Sequence, residues 1–137
     1  SNGALIEKKT LGEQEYFHYR LEVPVVTYLT TLVVGEFEGW SVKGPRGLPV
    51  EYYVEKGRRA EGERSFGRTP KMIEVFEEKT GVPYPFPKYA QIAVQDSIFG
   101  GMENASATTQ TDQTLHDARA AMDFSSDPLV SHELAHQ

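Results

Sequence analysis

Proline placement limits what this chain can fold into more than any other feature. Of its eight prolines, Pro70 and Pro128 each follow a residue able to cap a helix, Thr69 and Asp127, and so fit a first helical turn. Pro83, Pro85 and Pro87 each remove a backbone donor from one short stretch, which excludes regular helix and central strand there. The spacing therefore predicts a helix from Thr69, closed by Gly81, with Met72, Val75 and Phe76 toward the core. An ordered connector follows. Residues 89–95 then alternate, with Ala90, Ile92 and Val94 on one face and Gln91, Ala93 and Gln95 on the other, the pattern of a half-buried strand. Residues 105–111 read as a weaker strand, and residues 115–122 as a short helix with Leu115, Ala118 and Met122 on its apolar side. A further helix opens at Ser126-Asp127-Pro128 and runs to Gln137.

The earlier part reads as strand. Residues 16–22 alternate loosely, and residues 25–38 are dense in β-branched and aromatic types, with Pro24 separating the two runs. Gly44-Pro45-Arg46-Gly47 predicts a turn, and the shift to Gly and Pro there marks a candidate domain boundary, placed after residue 40. Residues 50–55 form another strand candidate. Residues 55–68 mix Lys56, Arg58, Arg59 and Arg64 with Glu61 and Glu63, as expected of a solvated loop. Ser1-Asn2-Gly3 reads as an expression remnant outside the fold. The class that results is α+β.

Charge and composition exclude several functions. With 20 Asp+Glu against 14 Lys+Arg the net charge is −6, the wrong sign for a nucleic-acid binder, which needs clustered Lys and Arg. No apolar stretch approaches the roughly 20 residues that span a bilayer. The absence of Cys excludes disulfides, thiolate metal sites and a Cys nucleophile, yet fits a cytoplasmic or an exported protein.

Chemistry concentrates in two motifs. His132 and His136 stand four apart on the last predicted helix, where such residues share a face about 6 Å apart along the axis. Both imidazoles can then offer a nitrogen to one metal ion. Glu133, about 100° further round the helix, can reach the open side of that metal and take a proton from water. This is the His-Glu-x-x-His pattern of zinc peptidases, although a capped amphipathic helix can also carry the pentapeptide without a metal. Phe99-Gly100-Gly101-Met102-Glu103-Asn104 follows the alternating strand, and its paired glycines allow close backbone approach, with Glu103 at the rim. Alone, this motif also suits a turn with a surface Glu. His18 and His116 read as structural or surface residues.

Together, in this order, Gly-Gly-Met-Glu-Asn and His-Glu-Leu-Ala-His-Gln resemble the aminopeptidase N family of zinc metallopeptidases, the gluzincins with a Gly-x-Met-Glu-Asn signature. Residues 28–37 look like the strand that closes that family's N-terminal β domain, and Tyr84-Pro85-Phe86-Pro87-Lys88-Tyr89 like its Tyr-Pro connector. Gly101 stands where the family often has Ala, and Ala105 where Pro often follows Asn. The resemblance implies that residues 1–40 are the last strands of an N-terminal β domain. Residues 41–137 are then the sheet-bearing first part of a thermolysin-like catalytic domain.

The same resemblance implies roles. His132 and His136 bind zinc, and Glu133 activates the zinc-bound water and carries its proton to the leaving amine. Glu103 binds the free α-ammonium of a peptide substrate, Gly100 and Gly101 hold the substrate backbone extended, and Met102 and Asn104 shape the pocket. The family's third zinc ligand, a Glu on the next helix, and its transition-state Tyr lie downstream of the zinc motif. The expectation is thus a fragment of a zinc aminopeptidase, completed by the rest of its parent chain, with the 137 residues alone inactive and weak in zinc binding. Three alternatives remain open: a zinc endopeptidase, a bifunctional aminopeptidase/epoxide hydrolase, and a non-catalytic module that keeps the motif residues.

Overall fold

The computed structural model describes residues 1–95 and 97–137. Strands β1 (Ala4–Leu11) and β2 (Gln14–Arg20) form an antiparallel hairpin. Five more strands make one mixed sheet: β3 (Phe37–Lys43), β4 (Pro49–Glu55), β5 (Tyr89–Val94), β6 (Gly101–Met102) and β7 (Ala107–Thr111), in the order β3-β4-β5-β7-β6. The β4/β5 and β5/β7 pairs are parallel, and the two outer pairs are antiparallel. Helices α1 (Arg59–Phe66) and α2 (Thr69–Thr80) supply the crossover that parallel strands require, and α3 (Asp127–Ala135) packs beside them. No helix among the described residues is long and apolar enough to cross a membrane.

The core lies on the helical face of the sheet. Val50, Tyr52, Val54, Tyr89 and Ala93 meet Phe66, Ile73, Val130 and Leu134 there, with Leu115 beside them. A smaller cluster of Ala90, Ile92 and Ala107 on the other face is covered by Val33, Phe37 and Tyr53. The α2 boundaries follow the proline and glycine logic: Pro70 sits in the first turn, and Gly81 closes the helix at φ 70, donating to the Glu77 carbonyl at 2.9 Å. Thr69, however, lies inside the helix and donates its hydroxyl to the Phe66 carbonyl at 2.7 Å rather than capping. Thr69 and Ile73 are the buried residues of α2, with Met72 and Phe76 packed at the core's edge and Val75, expected there too, only half-buried.

Several expected elements differ, each for a physical reason. Residues 25–36 are not a strand but extended chain with a single 3₁₀ turn, Thr27–Leu29, and the sheet begins at Phe37. That segment spends backbone groups on Asn2 and Ala105 instead of a ladder, leaving Leu32 and Val34 79% and 85% exposed. The expected loop at residues 55–68 contains α1, whose Gly62, Ser65 and Phe66 are buried while Arg59 pairs with Glu63 on the outside at 2.8 Å. Strand β5 is buried on both faces, not one, because parallel neighbours flank it, helices cover one face and Val33, Phe37 and Tyr53 cover the other. Its Gln91 is satisfied by Thr69 and Gln110. The expected helix at residues 115–122 is only a 3₁₀ turn, Ala120–Met122, since the Asp117 carboxylate accepts from the Arg119 and Ala120 amides and draws the chain into a local turn. Ser1-Asn2-Gly3 is no loose remnant: Asn2 is 7% exposed and bonded to Leu29, Thr31 and Ala105.

Candidate active site

Helix α3 sorts its residues by face. Val130, Glu133 and Leu134 point inward, and His132 and His136 are exposed. The two histidine rings stand one turn apart with their Nε2 atoms 3.3 Å from each other. Two imidazole nitrogens, each about 2.0–2.1 Å from a tetrahedral zinc, would lie about 3.3–3.4 Å apart. The pair therefore fits two ligands of one such ion. Among the described residues no group of three or more such side chains is placed to hold a metal.

Glu133 is 5% exposed and lies against β6. A Cβ on Gly101 would fall 2.5 Å from the Glu133 carboxyl carbon and Oε1, so the missing side chain at 101 is the space that Glu133 fills. Gly100 faces Leu129, one turn earlier on α3, across which a Cβ would make only ordinary contacts of 3.5 Å. The two glycines thus face the helix and let α3 lie close over the edge of the sheet. Burial holds the Glu133 carboxyl above its ordinary value; the Glu103 carboxylate adds to that shift, and His132 and His136 oppose it.

Strand β6 pairs Gly101 with Gln110 and Met102 with Thr109, and its outer edge has no partner strand among the described residues. Glu103 follows directly. Asn104 turns inward at 5% exposure: its side-chain oxygen accepts from the Thr109 hydroxyl at 3.0 Å, and its amide donates to the Met102 carbonyl at 2.9 Å. Its work is to shape the turn beyond Glu103. The structure thus gathers Gly101, Glu103, His132, Glu133 and His136 at one end of α3, with Met102 beside Gly101 on β6 and Gly100 just before it.

Two residues of this site escaped the sequence reading. Tyr89 is fully buried, its hydroxyl is 3.0 Å from the Thr108 hydroxyl, and burial, with Glu133 adding, raises its pKa. It opens the strand on the face that the alternation marked as polar. Gln137 lies one turn beyond Glu133, and its side chain reaches the backbone of residues 103–106. The spacing of four from Glu133 was a signal in the sequence, although α3 ends at Ala135 rather than at Gln137 as expected.

The chain is similar in sequence to known proteins. A profile of the peptidase family M1 domain matches residues 64–137. Aminopeptidase M1 of Arabidopsis thaliana is 32% identical over all of this chain, and aminopeptidase M1-A of Oryza sativa subsp. japonica is 34% identical over all of it. Endoplasmic reticulum aminopeptidase 1 of Mus musculus is 28% identical over 88% of the chain. The chain spans 16% of the length of the two plant relatives and 13% of the mouse one.

Proposed function

This chain belongs to peptidase family M1, and we propose that the protein carrying it is a zinc-dependent aminopeptidase that removes N-terminal residues from peptides. The observation that carries the reading is the convergence of the His132 and His136 Nε2 atoms at 3.3 Å beside a buried Glu133. His132 and His136 would hold the zinc ion, which when bound supplies Lewis-acid polarisation of a carbonyl and lowers the pKa of water. Glu133 is the general base: its carboxylate takes a proton from the attacking water and returns it to the leaving amine. Glu103 presents the negative charge that pairs with a free α-ammonium, and an internal peptide bond has no such charge to offer. The outer edge of β6 can pair with an extended peptide through backbone groups at Gly101 and Met102.

In the same reading, residues 41–137 are the first part of a thermolysin-like catalytic domain and residues 1–40 the end of a β domain before it. Turnover of an aminoacyl anilide by wild type and Glu133→Gln, with metal content measured in both, tests the assignment. Loss of at least about a hundredfold in kcat with metal content unchanged is expected, the lower end of what a general base contributes. A Glu133→Gln protein that still turns over overturns Glu133 as the base. Equal cleavage of free and N-acetylated peptides would instead assign an endopeptidase, since the ammonium at Glu103 would then be dispensable.

A further inference from the structure

The turn that carries Glu103 is not held by its own strand. Residues 103–106 leave β6 and double back into β7 through Ser106, which is fully buried and adopts φ 62, a left-handed conformation that a non-glycine residue occupies at a cost of roughly 1–2 kcal/mol. The Ser106 carbonyl accepts from Ala90 of β5 at 2.9 Å, but the Ser106 amide and the Glu103 carbonyl turn to a side chain instead of a strand. The Gln137 side chain reaches them from just beyond the end of α3. Its Oε1 accepts from the Ser106 amide at 2.7 Å, and its Nε2 donates to the Glu103 carbonyl at 3.1 Å. Tyr84, from the proline-rich connector, closes on the same Oε1 at 3.5 Å. One primary amide therefore takes the place of a strand partner, with donor and acceptor both spent on the main chain of the turn.

That contact joins two ends of the site. His132 and Glu133 on α3, and His136 at its end, are anchored by Val130 and Leu134 in the core, whereas Glu103 directly follows a short edge strand of two residues. We propose that Gln137 is a positioning residue which sets the distance between the ammonium-binding carboxylate of Glu103 and the histidine pair, so that a bound N-terminal residue spans both. This rests on the aminopeptidase reading. At the turn itself Gln137 touches only backbone, so its effect on ammonium binding passes through Glu103, and that is what distinguishes it from a general packing contact.

The test is a double-mutant cycle in the full-length protein, reading kcat and KM for an aminoacyl anilide together with metal content. Gln137→Met keeps length and apolar bulk but loses both hydrogen bonds. It is expected to raise KM at least about fivefold with kcat within about threefold and metal content unchanged, and to change KM less than about twofold when Glu103 is already Ala. Gln137→Glu, which keeps an acceptor for Ser106 but loses the donor to Glu103, gives the same split and serves if the Met variant does not fold. A silent Gln137→Met, or an equal loss with and without Glu103, overturns the positioning role and leaves the aminopeptidase reading in place. A wild-type protein without turnover overturns that reading instead.

Discussion

At the scale of single residues, the closest constraint in the site is between Gly101 and Glu133. The atoms that a new Cβ would meet, at 2.5–2.6 Å, are the far end of the Glu133 side chain rather than backbone. A flexible end can turn away at small cost, so shape rather than chemistry decides which substitutions Gly101 tolerates. Gly101→Ala displaces the carboxylate by a rotamer adjustment; kcat is expected to stay within about tenfold of wild type and stability within about 1 kcal/mol. Gly101→Val fills the space entirely and is expected to lose on the order of a hundredfold in kcat, as if the base had been removed. Steady-state kinetics beside thermal unfolding of both variants checks this, and an Ala variant as impaired as the Val variant would show that Glu133 does not use the space. The sequence alone placed His132, Glu133 and His136 through helical periodicity, and it named both glycines, but it assigned the close approach to a substrate backbone. On the side where a Cβ would stand, the glycines face Leu129 and Glu133 of α3.

At the scale of elements, legibility followed whether an element's signal was local. Proline and glycine chemistry fixed α2 and the start of α3 because those rules act within one turn. Helix α1 was illegible since its decisive residue is Gly62, which reads as a loop signal. A Cβ there would fall 2.6 Å from the Trp40 ring and 3.0 Å from Val54, so glycine is present for helix-on-sheet packing, at a distance no local rule can see. The proline-rich connector shows the same non-local logic. Its Tyr84 amide donates to Glu77 of α2 at 2.8 Å, and Arg46 grips the same carboxylate with both terminal guanidinium nitrogens at 2.5 and 2.6 Å. Arg46 chiefly, with the Tyr84 amide helping, holds the Glu77 carboxyl below its ordinary value of 4.5 despite some desolvation. A folded-state pKa below the unfolded one means this contribution is complete above about pH 4.5 and disappears as pH falls through the lowered value. Urea unfolding across that range is expected to show a shallower acid decline for Glu77→Gln than for wild type. Parallel pH curves for the two proteins would remove Glu77 from the acid response.

At the scale of the whole molecule, three segments far apart in sequence meet at one side chain. Asn2 donates to the Leu29 and Ala105 carbonyls at 3.0 and 2.5 Å and accepts from the Thr31 amide at 2.7 Å, while the Gly3 amide donates to the Ser106 hydroxyl at 2.7 Å. The Ala105 amide in turn donates to Leu29 at 3.1 Å. The base of the β1/β2 hairpin, the extended chain after Pro24 and the turn after Glu103 are thus tied through one buried amide group. Nothing in the composition of Ser1-Asn2-Gly3 announces this, because a polar residue's value here lies in partners that only the folded topology brings near. Removing one buried hydrogen-bonding side chain leaves its partners unsatisfied, and three such bonds at about 1 kcal/mol each put Asn2→Ala about 2–3 kcal/mol below wild type. The loss should also be local. Amide exchange at Thr31 and Ala105 is expected to accelerate in Asn2→Ala, while amides in the central strand β5, whose ladder partners are β4 and β7, keep their protection. Because the Ala105 and Ser106 backbone continues the turn that presents Glu103, that variant should also weaken binding of substrates with a free N-terminus. Unchanged exchange at Thr31 and Ala105 would mean that the three segments hold together without Asn2, and that their meeting point lies in the sheet itself.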